Sequence, residues 1–196
     1  MRLFLNIFIF FSIFNVFSQE IPNFAAVDSL YREDQFYIGI TYNTLQKRPP
    51  GISQNKFTPS LTAGFLRDMP VNKKRTVAVA IGLGYSINNY NQNILISETG
   101  GSPEYSTLES GSYDKNKLTL HYIDAPIEFR WRTSTPESHI FWRIYTGFKV
   151  SYLVYSRSKY INGPDKIMIV GNKDRNNFQY GAYIALGRNT WNRWAY

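Results

Sequence analysis

Residues 75 to 87 read Arg-Thr-Val-Ala-Val-Ala-Ile-Gly-Leu-Gly-Tyr-Ser-Ile, and their side chains alternate between two kinds. One set is apolar and bulky: Val77, Val79, Ile81, Leu83, Tyr85 and Ile87. The other set is small: Thr76, Ala78, Ala80, Gly82, Gly84 and Ser86. Successive side chains of a β-strand point to opposite faces. The stretch therefore predicts a strand with one face against apolar material and the other in a crowded or wet interior.

The same alternation recurs along the chain. It predicts strands at 36–43, 57–66, 75–87 with an extension through 90–96, 118–132, 140–155 and 178–188, and the start of another from residue 191. Alternation without long apolar runs is typical of an antiparallel transmembrane β-barrel. Bacterial barrels have an even number of strands, at least 8. We therefore expect about eight strands when the barrel is complete. The third strand and its extension could be two separate strands, but we favour the interpretation that this chain ends before the last strand.

Long polar segments alternate with short turns between these strands. The long segments are 44–56, 100–117 and 159–173, and the short turns are 70–74, 134–138 and 189–190. Outer-membrane barrels keep short turns in the periplasm and long loops outside. Because the short turns lie at the end where the first strand begins, we expect a periplasmic mature N-terminus.

The first residues have the features of a secretion signal. Arg2 precedes an apolar run over 3–17, and Val16-Phe17-Ser18 supplies small residues before a cleavage site. The run is shorter than the roughly 20 residues of a membrane helix. The predicted organisation is a signal peptide at 1–18, a periplasmic leader at 19–34 and an outer-membrane barrel domain at 35–196. The chain contains no cysteine, which excludes disulfides, thiolate metal sites and a lipid-modified N-terminal cysteine.

Composition agrees with this class. Aromatic residues make up 17% of the chain, while the mean hydropathy is only -0.32. The formal net charge is +8, but the basic residues are mostly at turns and inward positions and form no stripe. We therefore expect no nucleic-acid partner.

Charged residues on two adjacent predicted strands point inward. Asp124, Glu128, Arg130 and Arg132 share the inner face of one strand, and Arg143 and Lys149 that of the next. A turn symmetrical about Thr135 and Pro136 would place Glu128 opposite Arg143. We predict an interior salt-bridge network that comprises Asp124, Glu128, Arg130, Arg143 and Lys149. Such ions can plug a narrow lumen, or they can form a polar gate or a docking site for a partner segment.

The strand at 118–132 also changes its apolar face. Leu118, Leu120 and Tyr122 share one face, whereas the later apolar residues, Ala125, Ile127, Phe129 and Trp131, share the other. A β-bulge near 122–123 would return both sets to the lipid side.

An enzymatic function is not expected. His121, Asp124 and Ser151 could be drawn as a Ser-His-Asp arrangement, but no local signature supports it. No group of His, Asp and Glu has metal-ligand spacing, and no helix follows the paired glycines as a phosphate site requires. We therefore expect no catalytic residues, no cofactor, no metal and no small-molecule substrate.

Three stretches resemble the PorT family of outer-membrane barrels. They are Phe36-Tyr-Ile-Gly-Ile-Thr-Tyr-Asn43, Ser53-Gln-Asn-Lys-Phe-Thr-Pro-Ser60 running into Gly64-Phe-Leu-Arg-Asp-Met-Pro70, and Tyr122-Ile-Asp-Ala-Pro-Ile-Glu-Phe-Arg-Trp-Arg132. The resemblance covers about 28–195, and it implies a component of the type IX secretion system that helps to export proteins with C-terminal sorting domains. In some relatives this role is linked to gliding motility. Family members continue for about another strand.

The two lines of reasoning together predict a scaffold or assembly factor rather than the pore, because a lumen of about 8 strands only accommodates side chains. Its expected partners are outer-membrane lipid and other secretion proteins. The alternative is a small porin or adhesion barrel whose long loops bind a ligand outside the cell.

Overall fold

The computed structural model describes residues 32–54, 56–109, 111–135, 140–191 and 194–195. The predicted signal peptide and the leader up to residue 31 lie outside the described residues. Within those ranges the regular elements are all strands. A search of the same residues finds no helix with the length and hydropathy to cross a membrane.

The described chain forms one large antiparallel sheet and one separate hairpin. The strands are β1 (Gln35–Tyr42), β2 (Pro59–Pro70), β3 (Val77–Asn91), β4 (Ile94–Thr99), β5 (Ser102–Thr107), β6 (Lys115–Arg132), β7 (Phe141–Asn162), β8 (Asp165–Val170), β9 (Phe178–Trp191) and β10 (Trp194–Ala195). The large sheet has the order β1-β2-β3-β6-β7-β9-β10, and β8 pairs with the far end of β7. Strands β4 and β5 pair only with each other. The all-β antiparallel fold predicted from the sequence is confirmed.

The large sheet curls into a half-barrel. Gln35 of β1 accepts a hydrogen bond from Arg130 of β6 at 3.3 Å, and Tyr183 of β9 donates one to Glu128 of β6 at 2.7 Å. Side chains of both β1 and β9 also line a cavity of about 610 Å³ on the concave face. Strands that are far apart in the sheet order therefore share one interior.

The convex face is apolar and exposed. Phe36, Ile38 and Ile40 of β1 are 84%, 87% and 75% exposed, whereas Ala78 and Ala80 on the concave face of β3 are buried. A tilted strand crosses a bilayer in about 9–11 residues. Outward apolar residues extend over comparable runs, from residue 77 to 87 on β3 and from residue 142 to 152 on β7. The convex face therefore has the extent and polarity of a surface that contacts lipid.

The turn between β2 and β3 is short because Asn72 closes it. The Asn72 carbonyl accepts from the Arg75 amide at 3.0 Å, and its side-chain oxygen accepts from the Val77 amide at 3.0 Å. Asparagine commonly stabilises turns in this way, by bonding to backbone groups a few residues further on.

Two segments predicted as long loops contain strands. Within the segment predicted at 100–117, residues 102–107 form β5, which pairs with β4. Within the segment predicted at 159–173, residues 165–170 form β8, which pairs with the extension of β7. The third strand ends at Asn91, so its predicted continuation to residue 96 is wrong, and the alternative that the extension is a separate strand is confirmed by β4. The polar, glycine-containing composition of these segments concealed the short strands, although Ile169 of β8 packs inward.

The predicted bulge exists, but its extra residue belongs to the neighbouring strand. His121 pairs with Tyr155 and Tyr122 pairs with Leu153, which leaves Val154 of β7 without a partner on β6. Leu118, Leu120 and Tyr122 are therefore buried on the same face of β6 as Asp124. Their predicted outward orientation is wrong, because the neighbouring hairpins cover them.

Candidate functional site

A cluster of buried ions lies on the concave face near the short turns. Asp68 of β2 is fully buried and accepts a hydrogen bond from Arg130 at 3.1 Å. It also accepts two from Arg132, both at 3.0 Å. Arg132 makes a further ion pair of 3.5 Å with Glu33, just before β1. We call Glu33, Asp68, Glu128, Arg130 and Arg132 the ion cluster.

Arg130 joins three strands within this cluster. Its Nε donates to Glu128 at 2.8 Å, and its Nη1 donates to the carbonyl of Glu33 at 3.2 Å. Together with the bonds to Asp68 and Gln35, these contacts connect β6 with β1 and β2. Buried charges are tolerated when they are paired and hydrogen-bonded, and the Arg130 side chain meets both conditions.

Glu128 is also bound from the other side of the interior. The Tyr183 hydroxyl on β9 donates to Glu128 Oε1 at 2.7 Å, while Arg130 occupies Oε2. The strand β7 lies between β6 and β9 in the sheet. The Tyr183–Glu128 bond therefore spans the concave face rather than a neighbouring pair of strands.

A second, smaller group lies further along the strands. Asp124 accepts hydrogen bonds from the Ser151 hydroxyl at 2.5 Å and from Lys149 Nζ at 3.3 Å. Asp124 is fully buried, whereas the Lys149 side chain is 37% exposed.

The structure places all five residues of the predicted network on the concave face, but in separate groups. Asp124 contacts Lys149, and Glu128 contacts Arg130. Arg143 joins neither pair, and its guanidinium lies 5.6 Å from the ring centre of Tyr145. The predicted position of Glu128 opposite Arg143 is wrong: Glu128 pairs with Gly147, and Arg143 pairs with Arg132. The connection between β6 and β7 is centred further along the chain than the expected turn.

Sequence reasoning missed two central members of this interior, Asp68 and Tyr183. Asp68 had a detectable signal, because the inward alternation of Ser60, Thr62 and Gly64 continues beyond Leu66, where the strand was expected to end. Tyr183 had none, because its contact with Glu128 depends on the curl of the whole sheet.

The opposite end of the concave face is closed by apolar packing. Ile96 of β4 packs with Leu118, Leu120 and Tyr122 of β6, and with the partly buried residues Tyr90, Leu153 and Ile169. The hairpin is also tied to the segment after β8, since the Tyr105 hydroxyl donates to Asp174 at 3.2 Å and accepts from Asn172 at 2.7 Å. We call the β4–β5 hairpin and this apolar cluster the cap.

The Ser-His-Asp arrangement does not assemble. His121 lies on the convex face, where its Nδ1 is 2.7 Å from the Tyr85 hydroxyl, whereas Ser151 donates to Asp124 on the concave face. His121 and Asp124 lie on opposite faces because β6 alternates without interruption between them, since the extra residue of the bulge is Val154 of β7. In the described ranges no group of three or more His, Asp and Glu could hold a metal ion.

Comparison with known proteins assigns the family. A family model described as an outer membrane protein beta-barrel domain matches residues 17–195. No curated protein and no solved structure matches the chain. The matched range contains every strand described above, with its apolar convex face and polar interior. The chain therefore belongs to the outer membrane protein beta-barrel domain family.

Proposed function

We propose that this protein is a non-enzymatic scaffold or assembly factor that assists type IX protein secretion, rather than the pore through which cargo passes. The observation that carries the proposal is the filled interior. The ion cluster occupies one end of the concave face and the cap occupies the other. A cavity of about 610 Å³ remains, which is the size of a small-molecule pocket and far too small for a folded protein.

The resemblance to the PorT family supports the secretion role. Its most diagnostic stretch, 122–129, lies on β6 and supplies Asp124 and Glu128 to the interior, and the resembling sequence continues through Arg130 and Arg132. The likeness therefore includes the residues that fill the barrel as well as its outer surface. Relatives of this kind act in the export of proteins with C-terminal sorting domains, and we extend that role to this chain with other secretion proteins as its partners.

The loop asymmetry supports the orientation. The connections after β2 and β6 are short, whereas those after β1, β3 and β7 are long, and the last two contain β4, β5 and β8. Long loops face outward in this class of barrel. We therefore place the start of β1 and the mature N-terminus in the periplasm, and the cap outside the cell.

The test is deletion of the gene in its native bacterium, followed by comparison of the culture-supernatant proteome with that of the wild type. We expect selective loss of proteins that bear C-terminal sorting domains, restored by complementation with the full-length chain. An unchanged secretome would contradict the secretion role.

An adhesion barrel is the second candidate, and the hydrogen bonds between two of the long loops favour it. The bonds of Tyr105 to Asp174 and Asn172 connect two loops into one surface, as a preformed binding site would require. Replacement of residues 94–107 by a short Gly-Ser linker distinguishes the two functions. Surface binding should be unchanged, with normal secretion, if the protein is an assembly factor that acts from the periplasmic side. Loss of surface binding with normal secretion would favour adhesion.

A further inference from the structure

Exposed aromatic side chains encircle the convex face at the end where the cap lies. They are Tyr42, Phe57, Tyr85, Tyr152, Tyr155 and Phe178. His121 joins them through its 2.7 Å contact with Tyr85 and its edge-on packing against Tyr155. Aromatic residues of barrels concentrate at the membrane interface. This belt therefore indicates the outer boundary of the hydrocarbon layer.

Strands β6 and β7 continue beyond the belt, and their convex face there is basic. Lys117 lies directly opposite Lys159, and Arg157 occupies the next position towards the belt. Lys115 and Lys166 flank this group at the far side, both paired with Ile161. We call Lys115, Lys117, Arg157, Lys159 and Lys166 the basic patch.

The positive charges of the patch are not neutralised by the part of the protein that the structure describes. None of the five residues makes an ion pair with a carboxylate in the described ranges. Partial burial lowers the pKa of Lys117, and the neighbouring charges of Lys115, Arg157 and Lys159 lower it further. Like charges directly opposite each other on a sheet are destabilising. An anion bound across these strands would remove that repulsion.

The basic patch begins at the height of the lipid headgroups and extends beyond them. At about 3.3 Å per residue, Arg157 and Lys159 lie about 7 and 13 Å beyond Tyr155 along β7. Because barrel strands are tilted by about 35–45°, the corresponding heights are about 5 and 10 Å. The headgroup layer on each side of a bilayer is about 5–7 Å thick. Arg157 therefore starts within this layer, whereas Lys117 and Lys159 start about 3–5 Å beyond it and would extend their long side chains back to meet a phosphate. Exposed Met168 and Val170 beside these cations keep the patch continuous with the apolar surface.

We propose that the basic patch binds the phosphate groups of a phosphorylated glycolipid of the outer leaflet. The inference rests on the orientation proposed above, which places this end of the barrel outside the cell. Charge complementarity and continuity with the lipid-facing surface favour a lipid phosphate over a phosphate ion in solution. The bound lipid would cross the paired ends of β6 and β7 and offset the repulsion between Lys117 and Lys159.

The experiment measures binding of purified lipid A to the full-length barrel in an uncharged detergent by native mass spectrometry. The test variant is Lys117→Gln with Lys159→Gln. The control is Lys73→Gln with Lys74→Gln, which removes the same charge from the exposed short turn at the opposite end. Each basic residue near an anionic lipid surface contributes about a fivefold increase in affinity. We expect about 30-fold weaker binding by the test variant and unchanged binding by the control.

Three further samples identify the ligand. Dephosphorylated lipid A, phosphatidylglycerol and inorganic phosphate should each bind more weakly than lipid A. Equal binding of any of them would overturn the proposal. Equal binding of dephosphorylated lipid A would indicate acyl packing, equal binding of phosphatidylglycerol a general attraction to anionic lipid, and equal binding of inorganic phosphate a site for free phosphate. Without lipid, the test variant should melt no lower than the wild type because a repulsion has been removed, and Lys117→Arg with Lys159→Arg should retain binding. Because lipid binding is measured on the purified protein, its failure can be distinguished from a failure of the proposed secretion role in the gene-deletion experiment.

Discussion

At the scale of single residues, Asp68 compensates the charges of two buried arginines. It accepts bonds from both Arg130 and Arg132, and all three side chains are fully buried. Asp68→Asn leaves two guanidinium groups with less compensation. Loss of one partner from a buried ion pair costs about 3–5 kcal/mol. We expect this decrease in the free energy of unfolding, measured by urea titration of the refolded barrel.

The matched control is Asp34→Asn. Asp34 also faces an arginine, Arg67, at 2.8 Å, but these side chains are 31% and 51% exposed. Exposed pairs contribute about 0–1 kcal/mol, so the control should remain close to the wild type. Equal effects of the two substitutions would show that burial of Asp68 is not what makes it important.

Tyr183→Phe tests the bond that crosses the interior. The substitution removes only the hydroxyl that donates to Glu128 at 2.7 Å. A hydrogen bond to a charged group contributes about 1.5–3 kcal/mol, and we expect that loss in the same titration. Tyr180→Phe is the control, because Tyr180 lies on the convex face and is 67% exposed. A Tyr183→Phe variant with the same free energy of unfolding as the wild type would contradict the structural role of this bond.

At the scale of the strands, a glycine on β7 makes room for a tyrosine on β9. Gly147 pairs with Tyr183 across the two strands, and a methyl group at Gly147 would lie 2.6 Å from the Tyr183 hydroxyl oxygen. Gly147→Ala should therefore displace the ring and cost about 1–3 kcal/mol. Because both changes break the Glu128 bond, Gly147→Ala and Tyr183→Phe should together cost less than the sum of their separate effects.

Gly181→Ala is the control for this prediction. A methyl group there would meet nothing within 4 Å, although Gly181 lies on the neighbouring strand and lines the same cavity. We expect an unfolding free energy close to that of the wild type. If Gly181→Ala lowered the free energy of unfolding as much as Gly147→Ala, the effect would come from glycine replacement in general rather than from the contact with Tyr183.

At the scale of the strands, the sequence predicts the strands and their faces but not how neighbouring strands are paired. The strands and their two faces follow from local alternation, which is why the positions of Asp124, Glu128 and Arg130 on the concave face were predictable. Their partners depend on the cross-strand register between β6 and β7, which no local pattern reveals. The bulge at Val154 was predicted on the wrong strand because either strand of a pair can hold the extra residue.

At the scale of the whole molecule, the ion cluster and the cap lie at opposite ends of one interior. The two closures use different forces, since one depends on paired charges and the other on apolar contacts of Ile96 with β6. Neither could be inferred from separate strands, because both require the curl of the sheet and the folding of a long loop over its end. A half-barrel whose interior is closed at both ends in this way would act through its surfaces, which is the basis of the proposed scaffold role.

This arrangement predicts that the protein does not conduct ions. In planar bilayers the wild type should give no stable conductance steps, and a variant with residues 94–107 replaced by a short Gly-Ser linker should also remain closed, because the ion cluster is intact. Adding Arg130→Ala and Arg132→Ala to the linker variant removes both the cap and the ion cluster. Only this variant should conduct, provided that a urea titration shows it to be folded. A known porin in the same bilayers is the positive control. Stable steps from the wild type would contradict the filled interior and would make a small porin the better description.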